Sequence, residues 1–195
     1  CSDTEFLRRV SIDLTGTLPS PHEVLSFIAD DSADKRSRKI NELLERPSYA
    51  AWWANKLCDF TGCNPTSISS LLEVAREDGY VKATRWYDWI YERIANNQSY
   101  IELVEGIMLA DISSGVGEGM PYFWTRQSLE EPKDTAMSVA HSFLGIQLQC
   151  AECHKHPFDQ WTQNDFVDFS NFFDTPMLKK GRKGRSSKGS APKER

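Results

Sequence analysis

Apolar residues recur along this chain every three or four positions almost throughout, the spacing that lines one face of an α-helix. Phe6, Val10 and Leu14 mark a first helix, which "TGTLPS" ends. Ser20, Pro21 and Glu23 then write a capping box with proline at the first helical position, opening "HEVLSFIAD". Asp34 announces a third helix carried by Ile40, Leu43 and Leu44, and Pro47 starts a fourth, "SYAAWWANKLCDF". "TRWYDWIYERIANN" and "SYIELVEGIMLA" predict two more, the second capped by Ser99 with Glu102. Glycine-rich "DISSGVGEGMP", residues 111–121, predicts a mobile loop. Beyond it, Asp134 is placed to cap "TAMSVAHSFLGIQ", and Thr162 with Asp165 to cap "QNDFVDFSNFF". No alternating run with hairpin turn signals occurs. The pattern predicts an all-α fold of roughly seven or eight short helices, with no substantial sheet and no internal repeat.

At 195 residues the chain is long enough to bury a real core in one domain. Its net charge of -5 is unevenly spread, because residues 179–195 carry eight Lys or Arg against the single acid Glu194. That +7 leaves -12 for residues 1–178, and an acidic body argues against a nucleic-acid-binding face. The division expected is a helical domain over 1–178 and a basic, Gly/Ser/Lys-rich linker or tail over 179–195, too poor in apolar residues to order itself. No run of eighteen apolar residues occurs, so no membrane-spanning segment is predicted. Cys1 is the residue type of a lipid-anchored N-terminus, but "DTEFLRRV" starts a helical pattern at once and leaves no tether, so the expectation is an internal cut in a longer chain.

The chemistry concentrates in "QLQCAECHKHPFDQW", residues 147–161. Cys150-Ala151-Glu152-Cys153-His154 matches C-x-x-C-H, the attachment pattern of a c-type haem. Two cysteines three apart reach two vinyl groups on one porphyrin edge, and the following histidine supplies the proximal iron ligand. Phe158, Trp161, Phe166, Phe169, Phe172 and Phe173 follow, apolar surface suited to wrapping a macrocycle. A tetrahedral zinc site on Cys150, Cys153, His156 and Asp159 is the alternative, although structural zinc sites usually separate their ligand pairs by a dozen or more residues. A thioredoxin-like dithiol would want a preceding strand, which the pattern lacks.

His156 stands two residues beyond the proximal position and cannot swing to the opposite face of the same iron, so its expected work is a hydrogen bond to a propionate or some local hydrogen bond. A sixth ligand must come from elsewhere: His141 is the leading candidate, sharing a helix face with Met137, and Met120 and Met177 are others, with an open sixth position the competing expectation. Cys58 and Cys63 flank "DFTG" at a helix end, where Gly62 lets the chain turn back, and form a candidate disulfide. Arg8 and Arg9 are expected on the solvated face, with Asp13 or a propionate as the sharper candidate partner.

The blocks "EFLRRVSIDLTGTLPSPHEV", "DKRSRKINELLERPSYAAWWANKLCDFTG" and "FLGIQLQCAECHKHPFDQWTQNDFVDFSNFF" together resemble the domain of unknown function 1549 family, also called the second planctomycete cytochrome-associated domain. The resemblance implies a part of a large exported protein, periplasmic or extracellular, with further domains on either side and the basic tail as a linker. It also implies a role for both histidines of C-x-x-C-H-x-H-P-F, here His154 and His156, and it does not support a general role for His141. The expectation that follows is an exported cytochrome-like domain with one haem c, passing electrons within a larger redox protein to a partner basic at its docking face. The alternatives are a haem enzyme with an open sixth position, or an interaction module stabilised by zinc or a disulfide.

Overall fold

A computed structural model describes residues 1–66, 76–109, 123 and 131–174. The chain is all-α, and among the described residues there is no strand. It divides into two compact units, Cys1–Arg126 and Gln127–Arg195. The predicted loop over 111–121 and the tail over 179–195 lie outside the described residues.

The first unit contains α1 (Asp3–Thr15), α2 (Pro21–Ala29), α3 (Lys35–Leu44), α4 (Pro47–Thr61), α5 (Arg76–Ala95) and α6 (Tyr100–Met108). Local chemistry sets most of the boundaries. Ser20 with Glu23 and Ser99 with Glu102 form capping boxes as predicted, each satisfying two backbone donors that helix geometry leaves free. Gly16 and Gly62 end α1 and α4 in the left-handed conformation that favours glycine. Asp34 stands at the N-cap of α3 as expected, although its side chain makes no cap bond and instead pairs with Arg38 at 3.3 Å. α5 starts eight residues before the predicted segment, since "REDGYVKA" carries too few apolar residues to announce a helix.

Helix α1 also corrects the reading of its buried face. Leu7, Ser11 and Thr15 are buried, while Phe6, Val10 and Leu14 flank them half-exposed. Two of the buried three are polar and so invisible to a hydrophobic pattern; the Thr15 hydroxyl donates to the Ser11 carbonyl at 2.8 Å, which makes its burial affordable. α1 lies against α2, α3 and α4, and α4 packs most extensively on α5. On α4 the buried stripe is small, Ala50, Ala54 and Cys58, whereas α5 buries Ala83, Trp86, Trp89 and Ile90. Small against large is how two helices approach closely at full packing density.

Charge ties the first three helices at their edges. Asp3 accepts from Lys35 at 2.7 Å and from Arg36 at 2.8 Å, and Glu23 pairs with Arg46. Arg8, Arg9 and Asp13 are exposed and form no ion pair among the described residues, so the proposed pairing with Asp13 is not made. All three groups are exposed to water, where an ion pair gains little.

The second unit holds α7 (Pro132–Val139), a π-turn (Ala140–Leu144), a 3-10 turn (Leu148–Glu152) and α8 (Gln163–Phe172). Asp134 is not the N-cap of α7. Glu131 holds that place, and Asp134 accepts from the Glu131 N–H at 3.2 Å as the third residue of the box, because Pro132 is already helical. Thr162 and Asp165 cap α8 as predicted, at 2.8 Å and 3.2 Å. The core of this unit is Ala140, Leu148, Ala151 and Phe166, with Met137, Ile146, Trp161 and Phe169 packed on it. Among the described residues no helix is long and apolar enough to cross a membrane.

Candidate functional site

The C-x-x-C-H segment does not continue the helix before it. Gly145, at a φ of 66°, stops the π-turn, and the chain re-enters a 3-10 turn at Leu148. Three residues per turn put positions three apart in line on one side. Leu148 and Ala151 therefore face the core together, at 5 % and 0 % exposure, while Cys150 and Cys153 are both exposed free thiols. The buried pair anchors the turn, and the thiols face outward.

Glu152, between the cysteines, fastens the turn to the helices on either side of it in sequence. Its carboxylate accepts from Lys133 of α7 at 3.1 Å, and its carbonyl accepts from the Gln163 amide of α8 at 3.1 Å. The Lys133 ammonium is correspondingly held above its ordinary pKa by the hydrogen bond to Glu152. These contacts were not foreseen, because nothing in the spacing of Lys133, Glu152 and Gln163 signals them.

The two histidines are prepared differently. His154 is exposed, and its Nδ1 lies 2.8 Å from the Lys155 carbonyl. A carbonyl can only accept, so in the neutral ring Nδ1 carries the proton and the lone pair falls on Nε2. His156 shows the reverse arrangement: the Phe158 N–H donates to its Nδ1 at 3.2 Å. A backbone N–H can only donate, so neutral His156 carries its proton on Nε2. The local hydrogen bond expected of His156 is thus present, and its outer nitrogen is a donor. A further bond, His156 N–H to the Trp161 carbonyl at 2.8 Å, closes the loop between them.

Among the described residues no three His, Cys, Asp or Glu side chains converge to hold a metal ion. Cys150, Cys153, His156 and Asp159 all lie among the described residues and are not gathered into such a group there. The aromatic residues also divide. Phe166 and Phe173 are buried and Trp161 and Phe169 pack on the unit's own core, whereas Phe158 and Phe172 are 93 % and 75 % exposed. The indole N–H of Trp161 is buried with no acceptor among the described residues. Of the candidate sixth ligands, Met137 is committed to core packing and His141 is exposed on the π-turn. Met120 and Met177 lie outside the described residues. Cys58 and Cys63 belong to the first unit, at the end of α4.

Fold and motif define an all-α protein carrying a C-x-x-C-H turn whose thiols and histidine face solvent. The chain belongs to the PSCyt2 family, described as a protein of unknown function (DUF1549), whose model matches residues 1–177. No curated protein and no solved structure matches it.

Proposed function

We propose that this chain is an exported haem c domain that transfers electrons within a larger redox protein. The observation that carries the proposal is the coincidence of two outward thiols on one side of a core-anchored turn with a histidine whose neutral ring has its lone pair on Nε2. This is the donor set that covalent haem requires, with the neutral imidazole in the tautomer that leaves Nε2 to the iron.

In this reading Cys150 and Cys153 hold one porphyrin edge by thioether bonds. His154 ligates through Nε2, and the Lys155 carbonyl fixes the ring's tautomer, the second-layer support that orients most metal-bound imidazoles. His156, with its Nε2–H outward, suits a carboxylate acceptor such as a propionate. When bound, the haem supplies an iron centre that takes up and releases one electron. The surplus of acid in residues 1–178 favours a partner with a basic docking face.

The test is a visible spectrum of the protein matured in a host that attaches c-type haem. A Soret band with sharp bands on reduction supports the proposal, and the absence of haem after proven maturation overturns it. Carbon monoxide then reports on the sixth position. No shift of the reduced Soret band fits a protein-derived sixth ligand and electron transfer, whereas a shift marks an open iron and moves the reading to a haem enzyme.

A further inference from the structure

Helix α4 ends in a Schellman motif. Gly62 is left-handed at a φ of 77°, the Cys63 N–H donates to the Cys58 carbonyl at 2.8 Å, and the Gly62 N–H reaches the Asp59 carbonyl at 3.4 Å. In this motif the residue three before the C-cap and the one two after it come into side-chain contact, usually as a hydrophobic pair. Here those two places are held by Cys58 and Cys63, so the helix end brings two thiols together across the glycine. The site is also enclosed: Cys58 is 7 % exposed, Cys63 is half-buried, and the Cys63 thiol donates to the Ala83 carbonyl of α5 at 3.4 Å.

We propose that Cys58 and Cys63 are a disulfide-forming pair, oxidised by a protein or low-molecular-weight disulfide to a bond that locks the end of α4 where it packs on α5. The Cys63 thiolate attacks one sulfur of the incoming disulfide and expels a thiol, leaving a mixed disulfide. Cys58, losing its proton, then attacks the Cys63 sulfur and expels the second thiol. One disulfide is consumed, one is formed, and two thiols are released. The order follows from access and ionisation. Donation from the Cys58 thiol lowers the Cys63 pKa against its own burial, while that hydrogen bond and burial raise Cys58.

The test uses the full chain equilibrated in glutathione buffers of graded ratio, alkylated without reduction and digested with trypsin. Both cysteines fall on the one tryptic peptide Leu57–Arg76, which holds no other cysteine. The expected result is that folded protein in oxidising buffer yields this peptide two hydrogens lighter and resistant to alkylation. The bond should raise the folded-to-unfolded ratio by about 40-fold, the chain-entropy value for a loop of roughly six residues. Reductant should remove that gain from the parent and change nothing in a Cys63→Ser variant. A peptide that takes two alkyl groups at every ratio, or a glutathione adduct on Cys63 that Cys58 never displaces, overturns the proposal.

Discussion

Gly16 stands where two independent constraints meet, and Gly145 isolates one of them. Both are left-handed, at φ of 68° and 66°. An alanine in that region costs about 1–2 kcal/mol, of which the reduced freedom of the unfolded chain returns about 0.4–1 kcal/mol. Around Gly145 a Cβ would meet nothing within 4 Å, so Gly145→Ala is expected to cost about 1 kcal/mol. At Gly16 the same atom would sit 2.5 Å from Cε3, 2.6 Å from Cδ2 and 2.9 Å from Cζ3 of Trp52. Carbon atoms prefer roughly 3.5–4.0 Å, and forcing such a contact typically costs a further 1–3 kcal/mol. The ring cannot move freely either, because the Lys56 ammonium lies 4.8 Å from its centroid. Gly16→Ala should therefore lose about 2–4 kcal/mol in urea denaturation, at least twice the loss for Gly145→Ala. Equal losses at the two sites would refute the claim that α1 and α4 meet through Gly16 and Trp52.

Three further outcomes follow. Glu23 is held at about 2, against an ordinary 4.5, chiefly by the Arg46 hydrogen bond and then by the Ser20 N–H. A carboxylate depressed on folding contributes stability that is complete above about 4.5 and lost as pH falls toward 2, so Glu23→Gln should flatten the acid limb of a stability-against-pH curve in that window; an unchanged slope would contradict the pairing. Thr162→Ala removes the cap of α8 and should cost about 1 kcal/mol on thermal or urea unfolding, with a loss near zero arguing against the box. Long-range proton–nitrogen correlation spectra of the haem-free chain, at a pH where both rings are neutral, should show His154 protonated on Nδ1 and His156 on Nε2. The same tautomer at both would remove the distinction between ligand and donor.

The sequence was most informative where a few adjacent residues decide the outcome. Capping boxes at Ser20, Ser99 and Thr162 could be read directly, because the box is a bond within four residues. The same local reading misplaced the start of α7, since Glu131 and not Asp134 holds the N-cap place and Pro132 favours the earlier start. Burial was harder. Ser11 and Thr15 are core residues by position and polar by chemistry, and of the six aromatics after the motif the sequence did not separate the four that pack into their own unit from Phe158 and Phe172, which are exposed.

At the candidate site, spacing singled out Cys150, Cys153 and His154 but could not say how they are presented. The change from α-helix through a π-turn to a 3-10 turn determines that Leu148 and Ala151 face inward and the thiols outward. The apolar pair at three-residue spacing was the available sign. The Glu152 ties to Lys133 and Gln163 depend on tertiary placement and leave no mark in the sequence. The same holds for the opposite protonation of two histidines separated by a single lysine.

The most direct test of the central claim is the intact mass of the denatured protein after export through a c-type haem maturation pathway, parent beside Cys150→Ala/Cys153→Ala. The account predicts that the parent carries the added mass of one haem through denaturation, that peptide mapping places it on the segment containing Cys150 and Cys153, and that the double variant carries none. A parent at its bare polypeptide mass, with both thiols open to alkylation in a host shown to mature other c-type cytochromes, would contradict it.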